Sequence, residues 1–78
     1  MIINPGALTH YSYALHDAII DSGLKTIEVH LSDLSKREDW RQKSVTKDAC
    51  IAVFQGKGQD SYLEALHFLY NNLNKKND

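Results

Sequence analysis

The sequence offers a single cysteine, a single proline and four glycines among 78 residues. Cys50 has no partner within the chain, so no disulfide braces the fold, a usage that suits a reducing cytoplasm. With so little proline and 42% hydrophobic residues, the composition excludes a disordered chain. Apolar runs extend only a few residues, too short to span a bilayer, and the first residues lack the charged and apolar regions of a signal peptide. An excess of one charge is lacking too. Nine Lys and Arg against ten Asp and Glu leave a formal net charge of −1, which argues against a general nucleic-acid binder. The length allows one domain, read as residues 1–73 with a polar tail at 74–78. Such a chain buries only about 60% of its unfolded surface and usually needs a partner.

What is present alternates between two periods. Residues 2–4 read as a very short strand, broken by Asn4-Pro5-Gly6. Tyr11, Ala14, Leu15, Ala18 and Ile19 form the stripe of an amphipathic helix over 10–22, opened by Thr9 and stopped by Gly23. From Thr26 to Leu31 the period is two: Ile27, Val29 and Leu31 face one way, Thr26, Glu28 and His30 the other. Ser35 and Glu38 have the spacing of a capping box, giving a short helix or turn over Ser35 to Arg41. The apolar run Ala49 to Phe54 reads as a strand covered on both faces. A last helix over 60–73 carries Tyr62, Ala65, Leu66, Leu69 and Leu73 on one stripe, capped by Asp60 or Ser61.

The resulting β-α-β-α-β-α order implies an α/β fold with a parallel sheet and right-handed crossovers. Three strands are few for a doubly wound sheet, so the chain reads as a truncated half. Ligands of open parallel sheets gather outside the carboxyl ends of the strands. That rule selects Asn4, His10 and His30, with Arg41 able to reach over the same rim. Each also has a plainer reading. Asn4 is a common turn residue before Pro-Gly, His10 a first-turn residue, and Arg41 one of a solvated charge run. His30 stands apart, because it occupies a strand face that a two-sided sheet would cover, with Glu28 two residues back on the same side.

Other signals are weak. Gly56-Lys57-Gly58 lacks the spacing of a phosphate-binding loop. His10 and His16 are six apart and cannot share a helix face as metal ligands. Ser12 has no nucleophile-elbow context, and Cys50 in an apolar strand packs as a protonated thiol.

Two segments carry more than periodicity. Ile2-Ile3-Asn4-Pro5-Gly6-Ala7-Leu8-Thr9-His10 and Glu28-Val29-His30-Leu31-Ser32 closely resemble the type II 3-dehydroquinate dehydratases of the shikimate pathway. Arg37-Glu38-Asp39-Trp40-Arg41 with Ser44, and Gly56, Gly58 and Tyr62 with Ala65-Leu66, extend the likeness over residues 2–70. The resemblance implies a flavodoxin-like fold, of which this is the C-terminal half, and a homo-oligomer, commonly a dodecamer of trimers. It implies removal of water from 3-dehydroquinate through an enolate, with no metal or other cofactor. By position His30 matches the general acid and Asn4 the residue that stabilises the enolate through a water. His10 and Arg41 match contacts to substrate hydroxyls, and Leu31 and Ser32 the carboxylate-binding place. Asp17 matches a carboxylate reaching a neighbouring subunit's site.

The family's N-terminal half, with its glycine-rich loop and the tyrosine base, has no counterpart in this sequence, and Tyr11, Tyr13, Tyr62 and Tyr70 do not match it. His16 stands where an arginine is usual. The chemistry agrees with the carried-over roles: a departing hydroxide needs a proton donor such as histidine, and an enolate oxygen needs preorganised donors. Three expectations follow. The chain is an enzyme half that works with a complementary N-terminal half; or it is a non-catalytic remnant that binds quinate-like ligands or serves assembly; or its bare first-strand edge drives self-association.

Overall fold

A computed structural model describes residues 1–73; the polar tail expected at 74–78 lies outside the described residues. Three parallel strands form one sheet in the order β1-β2-β3: β1 (Ile2–Ile3), β2 (Ile27–His30) and β3 (Ala52–Gln55). Register pairs Ile2 with Ile27 on one side of β2, and Ile27 with Ala52 through His30 with Gln55 on the other. The α/β reading and the strand sequence stand. The central strand is buried at all four positions, because both its edges are paired and both its faces are covered.

The two faces of β2 have opposite chemistry. Ile27 and Val29 pack with Ala65 of α3 (Asp60–Leu73), flanked by Ile2, Ala52, Phe54 and Leu69. Phe54 and Phe68 meet edge to face at 5.6 Å between centroids. Fully burying Ile27 and Val29 is worth about 1.5–3 kcal/mol each. On the opposite face Glu28 and His30 are buried polar groups, as the alternation required.

Boundaries depart from the sequence reading where side chains had other work. The helix expected from residue 10 begins at Tyr13, as α1 (Tyr13–Ser22), and Ser12 rather than Thr9 caps it by accepting from the Leu15 amide at 3.0 Å. Thr9 is wholly buried in a 3-10 turn, Gly6–His10, where other partners claim its hydroxyl. Gly23 closes α1 at φ 70, the left-handed geometry that glycine takes without cost. Of the expected stripe only Ile19 is buried; Tyr11, Ala14 and Ala18 are exposed.

The Ser35–Glu38 capping box does not form. Asp33 takes the capping position, accepting from both the Ser35 amide at 2.9 Å and its hydroxyl at 2.7 Å, and heads a 3-10 turn, Leu34–Lys36. The backbone is extended at Arg37, so the helix starts only at α2 (Asp39–Gln42). Similarly, Lys47–Ala49 is a 3-10 turn and β3 starts at Ala52. Val53 and Gln55 are exposed, correcting the expectation of a strand covered on both faces. As the outer strand, β3 is covered by α3 on its Ala52 and Phe54 side alone. Helix α3 starts at Asp60, inside which Ser61 is buried and accepts the Lys57 amide at 3.2 Å rather than capping the helix. Along α3 Ala65 is buried, whereas Leu66 and Leu73 are exposed.

Candidate active site

The carboxyl ends of β1 and β2 open on a cleft of about 310 Å³. It is lined by Asn4, His10, His30, Leu31, Ser32 and Arg41, together with Gly6, Ala7, Leu34 and Arg37. Six of the seven residues singled out from the sequence thus meet at one place. The seventh, Asp17, lies on an exposed side of α1, bonded to His16 at 3.0 Å, and does not line the cleft.

His30 is held from below. Its Nε2 donates to Glu28 Oε2 at 2.7 Å, and the Glu28 side chain is entirely out of solvent. Burying a carboxylate is costly unless donors surround it. Here Ser44 Oγ donates to Oε2 at 2.8 Å, Thr9 Oγ1 lies 3.1 Å from Oε2, and Thr46 Oγ1 donates to Oε1. Burial alone would push the Glu28 carboxyl up, but the bonds from His30, Thr46 and Ser44 and the nearby imidazole outweigh it, so it titrates below the usual glutamate value. With Nε2 committed to Glu28, Nδ1 is the ring nitrogen without a protein partner among the described residues.

The rim groups are anchored by their own turns. Asn4 Oδ1 accepts from the Gly6 amide at 3.0 Å, and its Nδ2 donates to the Tyr62 hydroxyl at 3.1 Å. His10 Nδ1 donates to the Lys43 carbonyl at 2.8 Å, which leaves Nε2 as its other ring nitrogen, and its ring meets Trp40 edge-on at 5.5 Å. Arg41 stacks with its guanidinium carbon 4.7 Å from the Trp40 ring centre and pairs with Glu38 at 3.3 Å, both carried on the exposed surface. Arg37 Nη2 donates to Ser32 Oγ, so a second guanidinium borders the place where Leu31 and Ser32 end the strand. Two arginines and two histidines around one opening suit an anionic, hydroxylated small molecule.

Sequence reading missed Arg37 and the hydroxyls of Thr9, Ser44 and Thr46 as partners of the site. Arg37 carried no signal beyond membership of a charge run. The hydroxyls had an indirect one: a glutamate on a covered strand face must find donors somewhere. Among the described residues no group of His, Cys, Asp and Glu is arranged to hold a metal, and no helix is long and apolar enough to cross a membrane.

The family model described as Dehydroquinase class II matches residues 1–70. A 3-dehydroquinate dehydratase of Clostridium beijerinckii is 56% identical over 69 residues, covering 88% of this chain and 47% of that protein. One from Carboxydothermus hydrogenoformans is 50% identical over all 78 residues, 51% of its own length. Among solved structures, a type II dehydroquinase from Butyrivibrio crossotus superposes with a TM-score of 0.85 at 46% identity, over 88% of this chain and 48% of that one. The chain therefore spans about half the length of the relatives it matches. A parallel sheet whose strand ends gather these residues, matched at such identity along most of its length, belongs to the class II dehydroquinases.

Proposed function

We propose that the cleft is the acid-bearing part of a site that dehydrates 3-dehydroquinate to 3-dehydroshikimate. The observation that carries this reading is the environment of His30: 5% exposed, braced by a buried carboxylate, yet lining the opening. The reaction breaks a C–H bond at carbon 2 and a C–O bond at carbon 1, and leaves a double bond between them. His30 acts as the imidazolium, keeping Nε2–H on Glu28 and giving its Nδ1 proton to the departing hydroxyl, which leaves as water. Asn4, whose carboxamide is oriented by Gly6 and Tyr62, stabilises the enolate oxygen through a water. His10 and Arg41 bind substrate hydroxyls, and Leu31 and Ser32 hold the carboxylate with Arg37 behind them. Asp17, away from this cleft, serves the site of a neighbouring copy.

No tyrosine lines the cleft among the described residues, so the base that takes the carbon-2 proton comes from a complementary N-terminal half. The working form is a cytoplasmic homo-oligomer completed by that half. The test mixes this chain with a separately made N-terminal half of a class II dehydroquinase and follows the ultraviolet absorbance of the enone. Turnover is expected only with both present, falling about 10²–10⁴-fold in His30→Ala. No turnover with both halves folded counts against the proposal. Binding of a quinate-like ligand without turnover supports a ligand-binding module instead.

A further inference from the structure

We infer that Thr9, Ser44 and Thr46 are positioning residues for His30, acting on it through Glu28. The hydroxyl protons around the carboxylate are few and each has one destination. Ser44 and Thr46 each own one hydroxyl proton, and each spends it on Glu28, on Oε2 and Oε1 respectively. Thr9 Oγ1 lies 2.6 Å from Ser44 Oγ and 2.8 Å from Thr46 Oγ1, as well as 3.1 Å from Glu28 Oε2. Since the other two protons are already given away, Thr9 must be the donor in whichever of these contacts it makes. Ser44 Oγ further accepts from the Lys47 amide at 3.1 Å. Two hydroxyls and one imidazole thus donate to Glu28, with Thr9 Oγ1 packed against the same hydroxyls, and a carboxylate accepts all three bonds.

The consequence reaches the cleft. A carboxylate with both oxygens fixed by hydroxyls cannot rotate, so Oε2 keeps one direction open, and His30 Nε2–H fills it at 2.7 Å. The ring is held with Nε2 turned inward and Nδ1 left over for the cleft, where His10, Arg37 and Arg41 are the other ionisable groups. The three hydroxyls come from two separate segments, the turn before α1 and the stretch after α2, so their convergence on β2 is not a local accident of one loop. None of the three lines the cleft. Their effect is on the geometry of the acid, not on the ligand.

This deepens the reading of His30 as the acid, and its test observes the imidazole directly, so the two can fail separately. The full chain is labelled with ¹⁵N-histidine, and the ring N–H signals are recorded near pH 9, where a histidine is ordinarily neutral. His30→Gln assigns the signal. A slowly exchanging Nε2–H of His30 is expected in the parent and in Thr46→Ser, which keeps the hydroxyl. In Ser44→Ala and Thr46→Val that proton should exchange about tenfold faster, the change that losing one hydrogen bond to a charged group implies. Equal exchange in all four proteins, or an Nδ1–H form in the parent, overturns the inference. If Thr46→Val does not fold, Ser44→Ala decides the matter alone, since it removes one buried oxygen and no carbon.

Discussion

Asn4 and Tyr62 stand 58 residues apart in the chain, yet the carboxamide of one donates to the phenol of the other at 3.1 Å. The bond joins the end of β1, where Asn4 lines the cleft, to the first turn of α3. Because Oδ1 is already given to Gly6, the Tyr62 hydroxyl fixes the plane of the amide and with it the direction of the second Nδ2 proton. Tyr62→Phe removes only that constraint. Stability should drop by about 0.5–1.5 kcal/mol in urea unfolding, the net value of one hydrogen bond. Affinity for a quinate-like ligand should fall with it, checked by calorimetry.

Glu28→Ala should destabilise the chain more than loss of any one of the hydroxyls around it. It strands three buried hydroxyls and an imidazole, and breaking a buried pair by removing one partner costs about 3–5 kcal/mol. Small domains hold about 5–15 kcal/mol in all, so the loss is a large fraction of the total and should appear as a strongly lowered urea midpoint followed by circular dichroism.

Acid should destabilise the parent chain in a definite window. The Glu28 carboxyl titrates below its usual value of 4.5 when folded, so its contribution is complete above that value and is lost as the pH falls beneath it. Asp33, exposed and held down by its bonds from the Ser35 hydroxyl and amide, acts in the same direction. Thermal midpoints measured from pH 6 downward should fall below about 4.5, and the slope should be shallower in a folded Asp33→Asn variant.

Cys50 should be slow toward thiol reagents. Burial, reinforced by the Glu28 charge, pushes its pKa up to about 11 from 9.0, so the reactive thiolate is scarce at neutral pH. Reaction with an aromatic disulfide at pH 8 should run at least about tenfold slower than in urea-unfolded chain, since two pKa units alone give a hundredfold smaller thiolate fraction. Equal rates in both states contradict the burial of this thiol.

Gly56→Ala should disturb the rim from the opposite side. Gly56 has φ +86, and an added Cβ would lie 3.2 Å from Asp33 Cβ, so both backbone and space resist it. A cost of about 1–2 kcal/mol is expected from the left-handed geometry. The same residue donates its amide to the His30 carbonyl at 3.3 Å, so the His30 ring signals should shift as well.

The parallel three-stranded order and the meeting of Asn4, His10, His30 and Arg41 were legible, because strand periodicity and the strand-end rule both act over short stretches of chain. The strands' outer limits were not. Ala49 and Cys50 look like strand residues, but the chain turns at Lys47–Ala49, bringing Thr46 under Glu28. Thr9 looked like a helix cap and is instead part of the buried hydroxyl cluster, which left the cap to Ser12. Arg37 reads as a surface charge until Ser32 is placed beside it. In each case the deciding partner lies on another segment, and no local pattern reports it.

The loop after β3 is stitched to the end of β2 by two amides, Gly56 to the His30 carbonyl and Gly58 to the Leu31 carbonyl at 2.9 Å. Gly58 in turn accepts from the Ser61 amide at 3.1 Å, and the Ser61 hydroxyl takes the Lys57 amide. The floor of the cleft and the opening turn of α3 are therefore mechanically one piece. A molecule gripping Ser32 stiffens a stretch that begins some two dozen positions further along the chain, and occupancy of the cleft becomes audible at Lys57 to Tyr62 as slowed deuterium uptake.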